Sequence, residues 1–203
     1  MVKENISFFL FKISVQYMGA GILPTAIHNG KLFFLFGKEN KYETSAPGFS
    51  DFGGGTDHQE SFLETAVREA GEELTGFLGT PIEIRKMLKK GTFIIDNMSE
   101  GHNTYRMYIF FYPFNPWLPH FYNNNQLFLQ KHLPAQIIKT TKIFEKERIE
   151  WICIDELHKR RPQFRHYFRS IVDQIIEKKQ EIYAFIERRN RSSQKNTRKR
   201  ILF

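Results

Sequence analysis

Cysteine is almost missing from this chain: Cys153 stands alone among 203 residues. A single thiol excludes an intrachain disulfide framework and any zinc site built from several cysteines. It fits a reducing compartment, so an intracellular setting is expected, cytoplasmic or nuclear. No apolar run approaches the roughly 18 residues that cross a membrane. The short apolar stretch over residues 6–17 has no small-residue cleavage site after it, so it reads as a strand rather than a secretion signal. The seven histidines are scattered without metal-ligand spacing, and there is no internal repeat. Negative charge is in short supply, with 22 Asp or Glu against 30 Lys or Arg and a net charge of +8. Phenylalanine is abundant instead, at 21 residues, which points to an aromatic-rich core. The length suits one domain with an extension.

Six of the acidic residues fall in one stretch, residues 53–76, which reads GGGTDHQESFLETAVREAGEELTG. Three glycines precede a helical pattern. Asp57 is placed to cap that helix, with Glu60 three residues on to complete a capping box. Leu63, Val67, Ala70 and Leu74 recur at helical spacing and would face a core. At about 100° per residue, Glu69, Glu72 and Glu73 share roughly one third of the circumference. Like charges so placed repel, by a few tenths of a kcal/mol per pair on an exposed helix. A hard divalent cation with oxygen ligands would offset that repulsion. Arg68 lies one turn before Glu72 and one turn after Glu64, where it can bridge carboxylates. A solvated acidic helix face is the plainer alternative.

The spacing argues against the plainer alternative. Gly54, Glu60, Arg68, Glu69, Glu72 and Glu73 match in register the pattern G-x5-E-x7-R-E-U-x-E-E-x-G-U, with U aliphatic, and the stretch resembles the Nudix box. Ala70 fills the first U. Thr75 then stands where the glycine belongs and Gly76 comes one residue late, which reads as one inserted residue at the helix end. The resemblance covers most of residues 18–175 and is specific only in the box. It implies an α/β/α sandwich around a mixed β-sheet, here with an additional C-terminal helix. It implies hydrolysis of a diphosphate linkage in a nucleoside diphosphate joined to another group. It also implies Mg²⁺ or Mn²⁺ held by Glu69, Glu72, Glu73 and the Gly54 carbonyl, with Glu60 and Arg68 fixing those ligands. Catalytic roles then fall to Glu72, Glu73 and Arg68. A further carboxylate from outside the box would act as ligand or base; Glu145, Glu147 and Glu150 are candidates, with Glu147 preferred.

Elsewhere, His28-Asn29-Gly30 between apolar runs marks a hairpin. Residues 81–92 and 93–95 read as strand material, 96–103 as a turn, and 104–114 as a strand. Residues 115–125, with two prolines and three consecutive asparagines, read as a loop. Trp117, Phe121 and Tyr122 there could stack on a base, or pack beneath the loop, which is the preferred reading. Residues 149–154 read as a last strand with a turn after it. Residues 163–186 repeat apolar groups at helical spacing, so residues 1–186 form the expected domain. Residues 187–203 are polar and basic and read as a disordered tail. From Glu177 onward nine Lys or Arg oppose three Glu, which is +6 of the chain's +8. With Lys159, Arg160, Arg161, Arg165 and Arg169, this charge suits a polyanion such as capped RNA, making cap removal from messenger RNA one expectation. Small nucleotides and diphosphoinositol polyphosphates are the alternative substrates. A non-catalytic binding module of the same fold is disfavoured by the intact glutamates.

Overall fold

In the computed structural model, which describes residues 18–41, 46–99, 103–141 and 145–201, the hairpin is present. β1 (Met18–His28) and β2 (Lys31–Glu39) pair antiparallel across the turn. Asn29 and Gly30 take φ of 50° and 73°, the left-handed values that match the twist of the flanking strands. The strand expected over residues 6–17 lies outside the described residues.

β1 and β2 stay paired only near the turn, from Thr25 to His28 against Lys31 to Phe34. Beyond it they splay. β3 (Phe49–Ser50) adds to β2, and β4 (Phe52–Gly55) adds to β1 through residues 19–22. β6 (Asn103–Phe111) lies parallel to β1 on its other edge and carries β5 (Phe93–Ser99) antiparallel. β7 (Lys146–Cys153) runs antiparallel along β2, with an irregularity at Lys38/Glu39. The result is a mixed seven-stranded sheet.

Both faces are covered. On one, α1 (Phe62–Leu74), α2 (Pro81–Lys89) and α3 (Trp117–His132) enclose Ile22, Leu35, Phe52, Val67, Leu74, Ile84 and Tyr122. On the other, α5 (Ile154–Arg160), α6 (Arg169–Glu177) and α7 (Lys179–Ile201) enclose Leu23, Phe34, Phe36, Phe164, Ile175 and Ile186. A short α4 (Ala135–Thr140) crosses the mouth of the splay. The expected α/β/α sandwich around a mixed sheet is the fold observed. Among the described residues no helix is long and apolar enough to cross a membrane.

Four local expectations are corrected. Residues 81–89 are helix, not strand: Thr80 and Glu83 form a capping box and Pro81 occupies the first turn, where no N–H is required. Residues 117–125 belong to α3, not a loop. Pro116 precedes the helix and Pro119 falls in its first turn. Tyr122 is fully buried, and Asn123 exchanges hydrogen bonds with the Ile149 backbone, at 2.8 and 3.1 Å. Trp117 and Phe121 remain exposed, at 61% and 60%. The turn expected over 96–103 is shorter, because β5 continues to Ser99 and β6 begins at Asn103. After β7 the chain forms α5 rather than a turn.

Candidate active site

The cap of α1 falls four residues later than Asp57. Ser61 is the N-cap, its Oγ accepting from the Glu64 N–H while Glu64 Oε2 accepts from the Ser61 N–H at 2.9 Å. Glu60 is drawn away by Arg68. The Arg68 Nε donates to Glu60 Oε1 at 2.8 Å and its Nη2 donates to Oε2 at 3.0 Å. That pair holds the Glu60 carboxyl down at about 2, with the Arg68 hydrogen bond as the main cause. Glu60 still accepts from the Asp57 N–H, at 3.2 Å, closing a turn ahead of the helix. Arg68 also reaches Glu69 Oε1 at 2.7 Å and the Gly55 carbonyl at 2.9 Å, so one side chain ties α1 to β4.

At the other end the helix is not lengthened by an insertion. Thr75 itself is the C-cap, at φ 48° and ψ 37°, and its N–H donates to the Gly71 carbonyl at 3.1 Å. The box position that favours glycine therefore needs the left-handed conformation here too, and a threonine adopts it.

Splaying of β1 from β2 opens a cleft of about 470 Å³. Glu69 and Glu73 enter it from α1, Gly53 and Gly54 from β4, Glu145 from the start of β7, and residues 138–141 from α4. A Cβ at Gly54 would fall 2.5 Å from Glu69 Oε1, so any larger residue there would displace that carboxylate. Its carbonyl points across to β1, where it lies against Gly19. Glu69 and Glu73 are 7% and 3% exposed. Glu72 is half-buried, 3.6 Å from Arg68, and lines the adjoining groove between α1 and α2 with Glu60 and Glu64. The structure therefore brings Gly54, Glu69 and Glu73 together and sets Glu72 to one side. Of the three candidate carboxylates outside the box, Glu145 lines the cleft, as does Glu39, which the sequence did not single out. Glu147 pairs with Lys38 at 2.6 Å and Glu150 with Arg160 at 2.5 Å, away from it.

Beneath the cleft lies a buried charged row with no signal in the sequence. Lys146 is fully buried between Glu39 and Glu73, and its Nζ is 3.0 Å from Glu73 Oε1 and 2.9 Å from Ser50 Oγ. Arg165 Nη1 donates to Glu39 at 2.5 Å. Burial lowers the Lys146 pKa, but the Glu73 and Glu39 carboxylates outweigh it and leave the pKa above its ordinary value. Burial also raises Glu73 well above the usual carboxylate range, although Lys146 opposes the shift. Glu73 Oε2 is buried with no hydrogen-bond partner. That orphan oxygen beside a second carboxylate fits a hard cation, which takes oxygen ligands. Among the described residues no three His, Cys, Asp or Glu side chains converge closely enough to hold a metal alone. A cation here would complete its shell with water or substrate oxygens, as Mg²⁺ commonly does.

No protein-family profile matches the chain, and no curated protein does. Solved structures of similar architecture include Nudix hydrolases. One from M. smegmatis is 15% identical, with 82% of this chain and 88% of that one covered and a TM-score of 0.49. A C. elegans Ap4A hydrolase is 14% identical over 70% of this chain and 84% of its own, at 0.42. A bifunctional NMN adenylyltransferase/ADP ribose pyrophosphatase from Francisella tularensis is 14% identical over 80% and 42%, at 0.45. Similarities of this size assign no activity, and the functional reading rests on the chain's own residues.

Proposed function

We propose that this chain is a divalent-cation-dependent hydrolase that cleaves a diphosphate linkage in a nucleoside-diphosphate compound. The observation that carries the reading is Glu73. Its one oxygen is paired with Lys146 and the other is orphaned, in a cleft shared with Glu69. Those two carboxylates would hold Mg²⁺ or Mn²⁺; Glu72 and the Gly54 carbonyl, further ligands the box resemblance implies, stand beside the cleft, one in the adjoining groove and one turned to β1. When bound, the cation neutralises the diphosphate and acidifies water at the site. Arg68 keeps Glu69 in place. Lys139 and Arg165 bring positive charge to the same cleft, where a phosphate chain would lie. Glu145 would take a proton there in preference to Glu147, a reading supported by Glu145 lining the cleft and Glu147 pairing with Lys38.

Two observations favour a compact nucleotide over a long polyanion. The cleft volume of about 470 Å³ suits a small ligand. The arginines expected to form a stripe are engaged within the molecule: Arg160 with Glu150, Arg161 with Asp173, Arg165 with Glu39, and Arg169 with the carbonyls of Phe164 and Pro162. Capped RNA draws its support from the basic run in α7. The test is a panel of nucleoside triphosphates, dinucleoside polyphosphates, capped RNA and inositol pyrophosphates, each with Mg²⁺ and with Mn²⁺. Metal-dependent turnover of a free nucleotide, lost in Glu73→Gln, is the expected result. Cleavage of capped RNA alone would overturn the small-nucleotide preference. No turnover of any diphosphate would overturn the enzyme reading.

A further inference from the structure

The three donors of the Lys146 ammonium meet three acceptors, on Glu39, Ser50 and Glu73. Charge alternates along Arg165, Glu39, Lys146 and Glu73, and the row ends on the orphaned Glu73 Oε2. An ammonium 3.0 Å from Glu73 Oε1 repels a second cation from that oxygen. Glu69 is restricted in the same way, because Arg68 Nη1 occupies its Oε1 at 2.7 Å. Each carboxylate is therefore biased toward coordination through one oxygen.

We propose that Lys146 is a positioning residue that makes Glu73 a one-oxygen ligand and so sets the cation selectivity of the cleft, favouring a small octahedral cation over Ca²⁺. This rests on the reading of the cleft as a cation site. The chemistry is one of ligand count. Ca²⁺ takes six to eight oxygens and commonly draws both from one carboxylate, whereas Mg²⁺ prefers six single oxygens in an octahedron. Mn²⁺ stands in for Mg²⁺ as a measurable probe. A buried lysine replaces what would otherwise be a second donor oxygen, and the cation that needs more donors is the one penalised.

The test measures binding of Mn²⁺ and of Ca²⁺ by calorimetry, without substrate, to the wild-type chain, to Lys146→Met and to Lys146→Met/Glu39→Gln. The double variant removes one buried negative charge together with the ammonium, and the amide oxygen introduced at position 39 can still accept from Arg165, which protects the fold. The wild-type chain should bind Mn²⁺ at least about 10-fold tighter than Ca²⁺, and the variants should narrow that ratio by about 10-fold, since a freed Glu73 can chelate. The shifts in melting temperature with each ion should follow the same order. A folded variant with the wild-type ratio overturns the role of Lys146 and leaves the functional reading intact. A wild-type chain that binds Ca²⁺ as tightly as Mn²⁺ overturns it as well. Binding of neither ion removes the cation site, and with it both readings.

Discussion

Asp51 lies under the glycines of β4, 2% exposed, with Tyr105 Oη 2.9 and 3.0 Å from its two carboxylate oxygens. Gly21 and Gly53 leave room for this pair, since a Cβ on either would fall within 2.4 Å of it. Burial pushes the Asp51 carboxyl up to about 7, against the Tyr105 hydrogen bond and the Lys146 charge. A carboxyl raised in the folded state binds its proton more tightly folded than unfolded. Stability should therefore fall as pH rises from about 4 to about 7, by an order of 2–4 kcal/mol from this group. Urea unfolding at pH 5 and pH 8 checks it: Asp51→Asn should lose most of the difference that the wild-type chain shows. An equal pH dependence in both proteins would contradict the assignment. At Glu73 the outcome is split between stability and activity. Glu73→Gln keeps the volume, and Lys146 retains Glu39 and Ser50, so the fold should survive at a cost of about 1–3 kcal/mol. Turnover should drop by about 100-fold or more, as an anionic ligand is lost. Near wild-type turnover with the same metal requirement would sink the role given to Glu73.

α1 shows how an element end can be read one step wrongly. The late Gly76 suggests an insertion, yet the helix closes at Thr75 in a left-handed conformation that costs a β-branched residue about 1–2 kcal/mol. Thr75 Oγ1 is also buried without a hydrogen-bond partner. Thr75→Gly removes both penalties and adds backbone entropy to the unfolded chain. The net expectation is a gain of about 1 kcal/mol, or roughly 2–4 °C in melting temperature, read by calorimetry. A fall in melting temperature would mean that Thr75 makes a contact worth more than its strain. α2 offers the opposite case. Thr80 caps it through the Glu83 N–H, and Thr80→Ala should destabilise by about 1 kcal/mol. The Thr80–Pro81–Glu83 signature was present in the sequence, but the apolar residues around it fit a strand equally well over so short a span.

For the whole molecule, the question is where the domain ends. The division at residue 186 remains a proposal: α7 continues as helix to Ile201 where the composition reads as a disordered tail, while Ile182 and Ile186 are fully buried and are the last buried residues of α7 among those whose side chains are described. Arg189 still contacts Phe185, 5.4 Å from its ring centroid, and lies close against Gly91. Truncation after Ile186 should lower the melting temperature by no more than about 2 °C, because little apolar surface is removed. A larger fall would place the basic run within the domain. The same truncation should leave nucleotide turnover unchanged at all salt concentrations, since the cleft is built from other elements. If capped RNA is turned over, its KM alone should rise on truncation, with a weaker dependence on salt.

The sequence by itself determined the pieces that depend on local order. The Asn29-Gly30 turn follows from the φ values only those residues adopt readily. The α1 face follows from helical periodicity, which aims Glu69 and Glu73 the same way whatever they meet. Arg68 reaching back to Glu60 follows from the spacing of the box. Tertiary structure decided what those residues face. Lys146 is distant in sequence from Glu39 and Glu73, and its strand places it between them only because β7 pairs with β2. Glu147, one residue on, pairs with Lys38 instead. The β7–β2 register shifts between Lys38 and Glu39 and skips Glu147, so that irregularity, and not simple alternation, separates Glu147 from Glu145 at the cleft. The basic cluster after β7 was visible as charge, but only folding showed that Glu39, Glu150 and Asp173 answer it from within, because ion pairing depends on distances that composition does not contain.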